Sequence, residues 1–258
     1  MTTPAVRGVW LGIGSLLTVA AVGFGTVQAV SALAHDEHTE TETFSADGIT
    51  LLDVENDGGS VEVSGGDVDE ITVVSDVSDG LFATSRRVEV AGSTLVVRAD
   101  CPQLSTWCSV DHRIVVPHDL DVLVHVDNGR LTVRDLAGDL EADGDNGRIE
   151  LIRLSGDVVA ATDNGRLTAT GMRSENVRVD SDNGRVSVTF AEPPVDVRAT
   201  SNNGSVEVIV PETEAAYRVE VDTNHGSRDV GIRTDPASDR SIVAETDNGS
   251  VAVRYPSG

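Results

Sequence analysis

Runs of alternating apolar and polar residues dominate the chain from about residue 44 onwards. One run places Val122, Val124 and Val126 on alternate positions, and the alternation resumes after a short turn. A period of two predicts β-strands with one buried face. Further strand-like runs occur at 71–74, 88–90, 95–97 and 114–116. The pattern therefore predicts an all-β domain over 44–258, with 65–120 as its first, irregular part.

A recurring Asp-Asn-Gly turn separates many of these runs. From Gly129 to Gly249 the spacings between successive turn glycines are 18, 18, 19, 20, 22 and 23 residues. Such self-similarity is typical of repeat architectures. The residues predicted to form structural turns are Asp127, Asn128, Gly129, Asp145, Asn146, Gly147, Asp163, Asn164, Gly165, Asp182, Asn183, Gly184, Asn203, Gly204, Asn248 and Gly249.

Two architectures fit this repeat. In one, each unit is a β-hairpin, since Asn-Gly between alternating runs is a strong hairpin signal. In the other, each unit is one rung of a β-solenoid, or β-helix-like stack, with equivalent strands about 4.8 Å apart. We favour the solenoid, because near-identical copies can stack like residue on like residue.

Stacking in chain order would align the turn residues in columns. The Asp residues would form one column, and the Arg residues three positions later would form another with the opposite charge. Where Arg gives way to Ser205, Asp also gives way to Asn202. Asp247 with Ser250 does not follow this rule.

The first 43 residues differ from the repeat domain. Residues 8–34 carry no charge and follow Arg7, and about 20 apolar residues suffice to cross a bilayer as a helix. Arg7 favours residues 1–7 as a short cytoplasmic tail, with the body outside the cytoplasm. A signal peptide cleaved near Ala34 is the alternative, but we favour a retained single-pass anchor because the stretch is long. Residues 35–43 are predicted to be an acidic spacer.

Charge and cysteine content narrow the function further. The net charge is −24 without a single lysine, which excludes nucleic acid as a partner because phosphates would be repelled. Cys101 and Cys108 are the only cysteines. A close pair in a protein outside the cytoplasm predicts a structural disulfide.

The chain resembles the bacterial DUF4097 family of adhesin-like β-strand repeat proteins. The resemblance rests on the apolar amino-terminal segment, on the stretch CSVDHRIVVP at 108–117 and on the recurring DNGR turns, and it covers nearly all of 44–255. It implies a membrane-anchored protein of the cell envelope without enzymatic activity, and it supplies no catalytic residues.

The residues themselves contain no catalytic motif of the hydrolase, metalloprotease or nucleotide-binding kind. We therefore expect no cofactor and a non-catalytic adhesin or scaffold that binds envelope polysaccharide or partner proteins. Alternatives are a Ca²⁺-dependent binding module, an envelope-stress signalling component and, less favoured, a carbohydrate-active β-helix enzyme. The Ca²⁺ alternative rests on paired carboxylates beside two turns, namely Asp143, Asp145, Asp180 and Asp182.

Overall fold

The structure, a computed structural model, describes residues 36–79, 83–102 and 108–256. Strands account for most of these residues, and no helix occurs among them, so the predicted all-β fold is confirmed. The strands are β1 (Asp36–Ser45), β2 (Leu51–Asn56), β3 (Gly59–Gly66), β4 (Glu70–Asp79), β5 (Ser85–Ala91), β6 (Thr94–Asp100), β7 (Ser109–Pro117), β8 (Asp121–Arg134), β9 (Leu140–Ile152), β10 (Val158–Met172), β11 (Asn176–Asn183), β12 (Val186–Phe190), β13 (Asp196–Asn203), β14 (Val206–Ile209), β15 (Arg218–His225), β16 (Arg228–Gly231), β17 (Ser241–Asn248) and β18 (Val251–Arg254).

The segment 8–34, predicted to be an anchor or signal helix, lies outside the described residues. Within the described ranges, no helix has the length and apolar character needed to cross a membrane.

The predicted alternation fixes the core. In β2 the burial alternates residue by residue, with Leu52 and Val54 fully inside. The strands before and after each turn direct their apolar positions into one shared cluster of Val, Leu, Ile and Ala. Gly144 and Ile149 lie on β9 before and after its turn, and a Cβ added to Gly144 would touch Ile149 Cδ1 at 3.5 Å, so the two arms of this bent strand face each other across the core.

Parallel pairing joins each unit to its neighbours. Strand β8 pairs with β9, and β9 with β10, each at a shift of 18 residues, so that Gly129 aligns with Gly147 and Arg130 with Arg148. The two strands of each later unit also pair in parallel with the equivalent strands of adjacent units. The hairpin alternative, in which both strands of a unit pair with each other, does not describe these ladders.

The order of the units in space departs from their order along the chain. The last unit, β17 and β18, pairs with β13 and β14 on one side and with β15 and β16 on the other. The expectation that the units stack in chain order is therefore wrong at this end. Arg228 aligns with the buried Val251, and every residue of β16 is exposed. A charged inward position is tolerated at the end of a stack, whereas the apolar unit gains burial inside it.

The opposite end of the stack is built from the irregular region. The unit of β2 and β3 lies between β8 on one side and β6 and β7 on the other. Beyond these, β5 pairs antiparallel with β6, β4 antiparallel with β7, and β1 antiparallel with β4. The mixed pairing covers the end of the parallel ladder.

The expectation of a spacer at 35–43 is wrong for its described residues, which belong to β1. The polar composition hid this strand because Phe44, which packs against the core, is its only apolar residue and cannot produce a hydrophobic period. Other side chains of the strand have polar partners. Arg86 forms ion pairs with both Glu40 and Glu42, and Thr39 Oγ1 donates to Asp76 Oδ1 at 2.6 Å.

Candidate functional site

The turns of successive units form one long edge of the stack, which we call the turn edge. Four columns run along it. The Asp column consists of Asp127, Asp145, Asp163 and Asp182, and the Arg column consists of Arg130, Arg148, Arg166 and Arg185. Between them lie the Asn ladder (Asn128, Asn146, Asn164, Asn183, Asn203 and Asn248) and the glycine column (Gly59, Gly129, Gly147, Gly165, Gly184, Gly204, Gly249 and Gly226).

Backbone contact explains why glycine recurs in every turn. A Cβ atom on Gly147 would collide with the carbonyl oxygen of Gly129, and one on Gly129 would collide with that of Gly59. Gly147 also has a φ of +153°, a region that residues with a side chain rarely adopt. The same collision recurs up to Gly226 at the far end. The glycine column therefore sets how closely the units approach at the turn edge.

The Asn ladder adds side-chain hydrogen bonds along the stack. Asn164 Nδ2 donates to Asn146 Oδ1 at 3.3 Å, and Asn183 Nδ2 donates to Asn164 Oδ1 at 3.0 Å. The bond from Asn248 Nδ2 to Asn203 Oδ1, 3.0 Å long, joins residues that are 45 positions apart in the chain. The ladder thus follows the spatial order of the units.

The spatial order of the units also explains why Asp247 remains acidic although Ser250 replaces the arginine of its unit. Asp247 lies between Asn202 and Asn224 in the stack, because its unit is inserted between theirs. Asn224 Nδ2 donates to Asp247 Oδ1 at 2.8 Å, and Asn202 Nδ2 donates to Asp182 Oδ1 at 2.8 Å. Beyond the Arg column, Asp and Asn alternate, so carboxylates no longer stack directly on each other.

The Arg column is exposed and has few partners. Arg148 lies 3.3 Å from Glu150. Among the residues that the structure describes, Arg130, Arg166 and Arg185 form no ion pair within 4.0 Å. The Asp and Arg columns therefore neutralise each other only at longer range across the turn. Within the Asp column, Asp127 is also hydrogen-bonded to His125 and Asp182 to Asn202.

The Ca²⁺ candidates divide into two different environments. Asp143 and Asp145 lie with His125 in a group whose ligand atoms are all within 4.8 Å of one another. Asp180 and Asp182 are engaged elsewhere, because Asp180 accepts from Thr200 Oγ1 and Asp182 accepts from Asn202. An imidazole with two carboxylates is a donor set typical of Zn²⁺ and other transition metals rather than of Ca²⁺.

His125 is held between two carboxylates, which the sequence did not reveal. Its Nε2 lies 2.8 Å from Asp127 Oδ1, and its Nδ1 lies 3.1 Å from Asp143 Oδ2. Partial burial opposes protonation, but the hydrogen bonds and charges of Asp127 and Asp143 outweigh it and raise the pKa of His125. A protonated ring would be a cation in this group, and a metal ion bound through its nitrogen would have to displace that proton.

A column of buried hydroxyls behind the turn edge was also missed. Ser201 Oγ donates to the carbonyl oxygen of Gly184 at 3.0 Å, and Thr246 Oγ1 donates to that of Gly204 at 2.9 Å. Each bond joins a unit to its neighbour in space. The signal was present in the sequence, because Ser or Thr immediately precedes the turn in five units, at Thr162, Ser181, Ser201, Thr223 and Thr246.

The predicted disulfide between Cys101 and Cys108 is present. It lies beside the turn edge, because the Cys101 backbone N–H donates to Asp57 Oδ2 at 2.8 Å. Nearby, His112 is buried between β3 and β4, and its Nδ1 lies 2.8 Å from Ser75 Oγ. Burial, together with the charge of Arg86, lowers the pKa of His112 to about 4. His112 is therefore a neutral core residue at neutral pH.

No family model matches this chain, and no curated protein matches it. Several solved structures are similar to it over most of its length. A "putative cell adhesion protein" from Clostridium sporogenes is 11% identical with a TM-score of 0.43, over 86% of this chain and 100% of the other. A "putative adhesin" from Bacteroides fragilis is 13% identical with a TM-score of 0.47, over 85% and 97%. A "putative lipid binding protein" from Parabacteroides distasonis is 10% identical with a TM-score of 0.25, over 85% and 97%.

Proposed function

We propose that this protein is a non-catalytic binding module of the bacterial cell envelope, an adhesin or scaffold whose stacked units form a β-solenoid. In this proposal, residues 8–34 anchor it in the membrane as a single span, and the β domain lies outside the cytoplasm. The resemblance to the DUF4097 family agrees with this role.

The observation that carries the proposal is the repetition of identical side chains at equivalent positions. Across six units the turn edge presents Asn on Asn, and across four units Asp on Asp and Arg on Arg. An array of equal sites binds a repetitive partner many times at once, and such multivalency raises a weak single contact to a useful total affinity. Envelope polysaccharides and neighbouring envelope proteins are the partners that we propose.

A co-sedimentation experiment tests this role. Residues 36–258 contain every described strand, both ends of the stack and the disulfide, so this fragment carries the packed body. It is mixed with isolated cell envelopes, with and without Ca²⁺, and pelleted. Saturable pelleting is the expected result. If no pelleting occurs in either condition, the binding role is wrong and a signalling role through another protein becomes the better explanation.

A second candidate, a metal-dependent binding module, is favoured by the group of His125, Asp143 and Asp145. Isothermal titration of the same fragment with Zn²⁺ and with Ca²⁺ tests it. On this alternative Zn²⁺ binds with a measurable heat, and His125→Gln abolishes that heat. Equal heats for both proteins would eliminate this site.

A further inference from the structure

We propose that two copies of this chain associate side by side through their turn edges, so that the Arg column of each copy lies against the Asp column of the other. This proposal names a second copy as a partner of the binding module proposed above and rests on that role. The partner is identified by the charge pattern of the edge itself.

Most of the positive charge of the Arg column is not neutralised by direct contact within the chain. Residues of the Arg column occupy equivalent positions on adjacent parallel strands, as the pairing of Arg130 with Arg148 and of Arg148 with Arg166 shows. Adjacent strands are about 4.8 Å apart, so these guanidinium groups repel one another. Of the four arginines in this column, only Arg148 has a carboxylate of a described residue within 4.0 Å. Carboxylates from outside the chain would relieve this repulsion.

A uniformly negative partner does not fit the turn edge. The Asp column runs parallel to the Arg column only three residues away in each turn, as Asp145 and Arg148 illustrate. A linear polyanion lying on the arginines would also lie beside four carboxylates. A suitable partner must therefore carry both signs of charge, in two parallel rows with the spacing of a β-ladder.

A second copy meets all of these requirements. It offers four carboxylates and four guanidinium groups at the same spacing, because both columns are built on the same four units. Rotation by 180° about an axis parallel to the stack brings the Asp column of one copy opposite the Arg column of the other, and the reverse. Rotation about an axis perpendicular to the stack would instead oppose like charges. The pattern thus selects a parallel, isologous dimer.

The point at which the Arg column ends, after Arg185, supports this pairing. The next positions of the Arg column in space are Ser205, Ser250 and Ser227, which carry no charge. In the same units the acidic positions alternate between Asn and Asp, starting with Asn202. At this end of the Arg column, carboxylates therefore become fewer where a second copy would offer no arginine to meet them. At the other end Ser60 occupies the Arg position and Asp57 the Asp position, and Asp57 accepts from the Cys101 backbone N–H.

The geometry also predicts how strong the association is. Four units span only about 15 to 20 Å along the stack, so the contact is smaller than the roughly 800 Å² per partner of a standard interface. Two copies in dilute solution would associate weakly. In a parallel pair both chains enter the body at the same end, at β1, which matches two copies tethered to one membrane. Tethering raises the local concentration and makes a weak contact effective.

Cross-linking of the full-length chain in lipid vesicles tests the proposal. The two-fold axis runs along the Asn ladder, so Asn146→Cys places equivalent thiols of two copies opposite each other, where a short bis-maleimide joins them. Glu141→Cys, which lies on the exposed face of β9 away from the turn, is the control position. We expect efficient dimer formation from Asn146→Cys, at least tenfold more than from Glu141→Cys. Equal yields at both positions would overturn the proposal.

Charge exchange in the Asn146→Cys background supplies the decisive comparison. Asp145→Arg alone opposes arginine to Arg148 of the other copy, and Arg148→Asp alone opposes aspartate to Asp145. Each single change is expected to lower the dimer yield at least tenfold, whereas the double change exchanges both columns in one unit and restores it. A double variant as defective as the singles would refute the pairing.

The same variants are also pelleted with cell envelopes. Pelleting without cross-linking would refute the proposed dimer and support the proposed envelope binding. Cross-linking without pelleting would support the dimer and refute the envelope binding.

Discussion

The steric demand of the glycine column can be tested with a single methyl group on Gly147. The added Cβ would collide with the carbonyl oxygen of Gly129 and would force an alanine into a φ of +153°. Overpacking costs about 1–3 kcal/mol, and an unfavourable backbone conformation costs about 1–3 kcal/mol more. The neighbouring units hold both strands in register, so relaxation is restricted. Gly147→Ala is therefore expected to lower the free energy of unfolding by about 4 kcal/mol.

Two further glycines separate the two causes. Gly92 has a φ of +68° in the turn between β5 and β6, and a Cβ there would meet nothing within 4 Å. Gly92→Ala tests backbone conformation alone and should cost about 1–2 kcal/mol. A Cβ on Gly184 would collide with the carbonyl oxygen of Gly165, and Gly184 is not among the residues with positive φ. Gly184→Ala therefore tests the collision alone, at about 1–3 kcal/mol.

The assay is equilibrium unfolding in urea, followed by far-ultraviolet circular dichroism, with the midpoint and slope determined for each variant. Gly147→Ala is expected to be the most destabilised of the three variants, because it combines both costs. If Gly147→Ala were no worse than Gly92→Ala, the carbonyl contact would be absent and the alignment of the units at the turn edge would be wrong.

Three more changes test other parts of the molecule. The pKa of His112 is about 4 in the folded protein, against 6.5 in the unfolded chain. Between these values the unfolded chain binds a proton that the folded protein does not, so about 3 kcal/mol of stability should be lost as pH falls from 6.5 to 4. His112→Gln should flatten the profile of unfolding free energy against pH over that range, and an unchanged profile would contradict the buried, neutral state of His112. Replacing Cys101 and Cys108 with serine should cost about 2 kcal/mol in urea unfolding, and no change would mean that the disulfide constrains nothing. Gly144→Ala should raise the unfolding free energy by about 0.5–1 kcal/mol, because its Cβ would make only ordinary contact with Ile149 Cδ1 at 3.5 Å; a loss of stability would show that this position is more tightly packed.

Local features of the fold were predictable because local rules govern them. The alternation of Val122, Val124 and Val126 identifies buried positions, and the structure buries all three. The repeated Asp-Asn-Gly marks the turns where β8, β9 and β10 bend around the core. The spacing of the cysteines was enough to predict their pairing.

The order of the units was not predictable in the same way, because equivalent units can pair with one another in any order. The decisive residue is Arg228, whose charge excludes its unit from the interior, but its position is recognisable only once the inward positions are known. Strand β1 was missed because Phe44 is its only apolar residue and much of its contact with the rest of the sheet is polar, including the ion pairs with Arg86. The group around His125 was missed because its members come from two units.

Every column on the turn edge depends on the order in which the units stack, and engineered disulfides test that order directly. Thr200 and Glu245 are paired on adjacent parallel strands, whereas Asp222 lies one unit further away, about 10 Å from Thr200 if strands are about 4.8 Å apart. A disulfide needs Cα atoms within about 7 Å. The account predicts that Thr200→Cys with Glu245→Cys oxidises readily and that Thr200→Cys with Asp222→Cys does not. A bond between 200 and 222, without one between 200 and 245, would show that the units stack in chain order and would contradict the account.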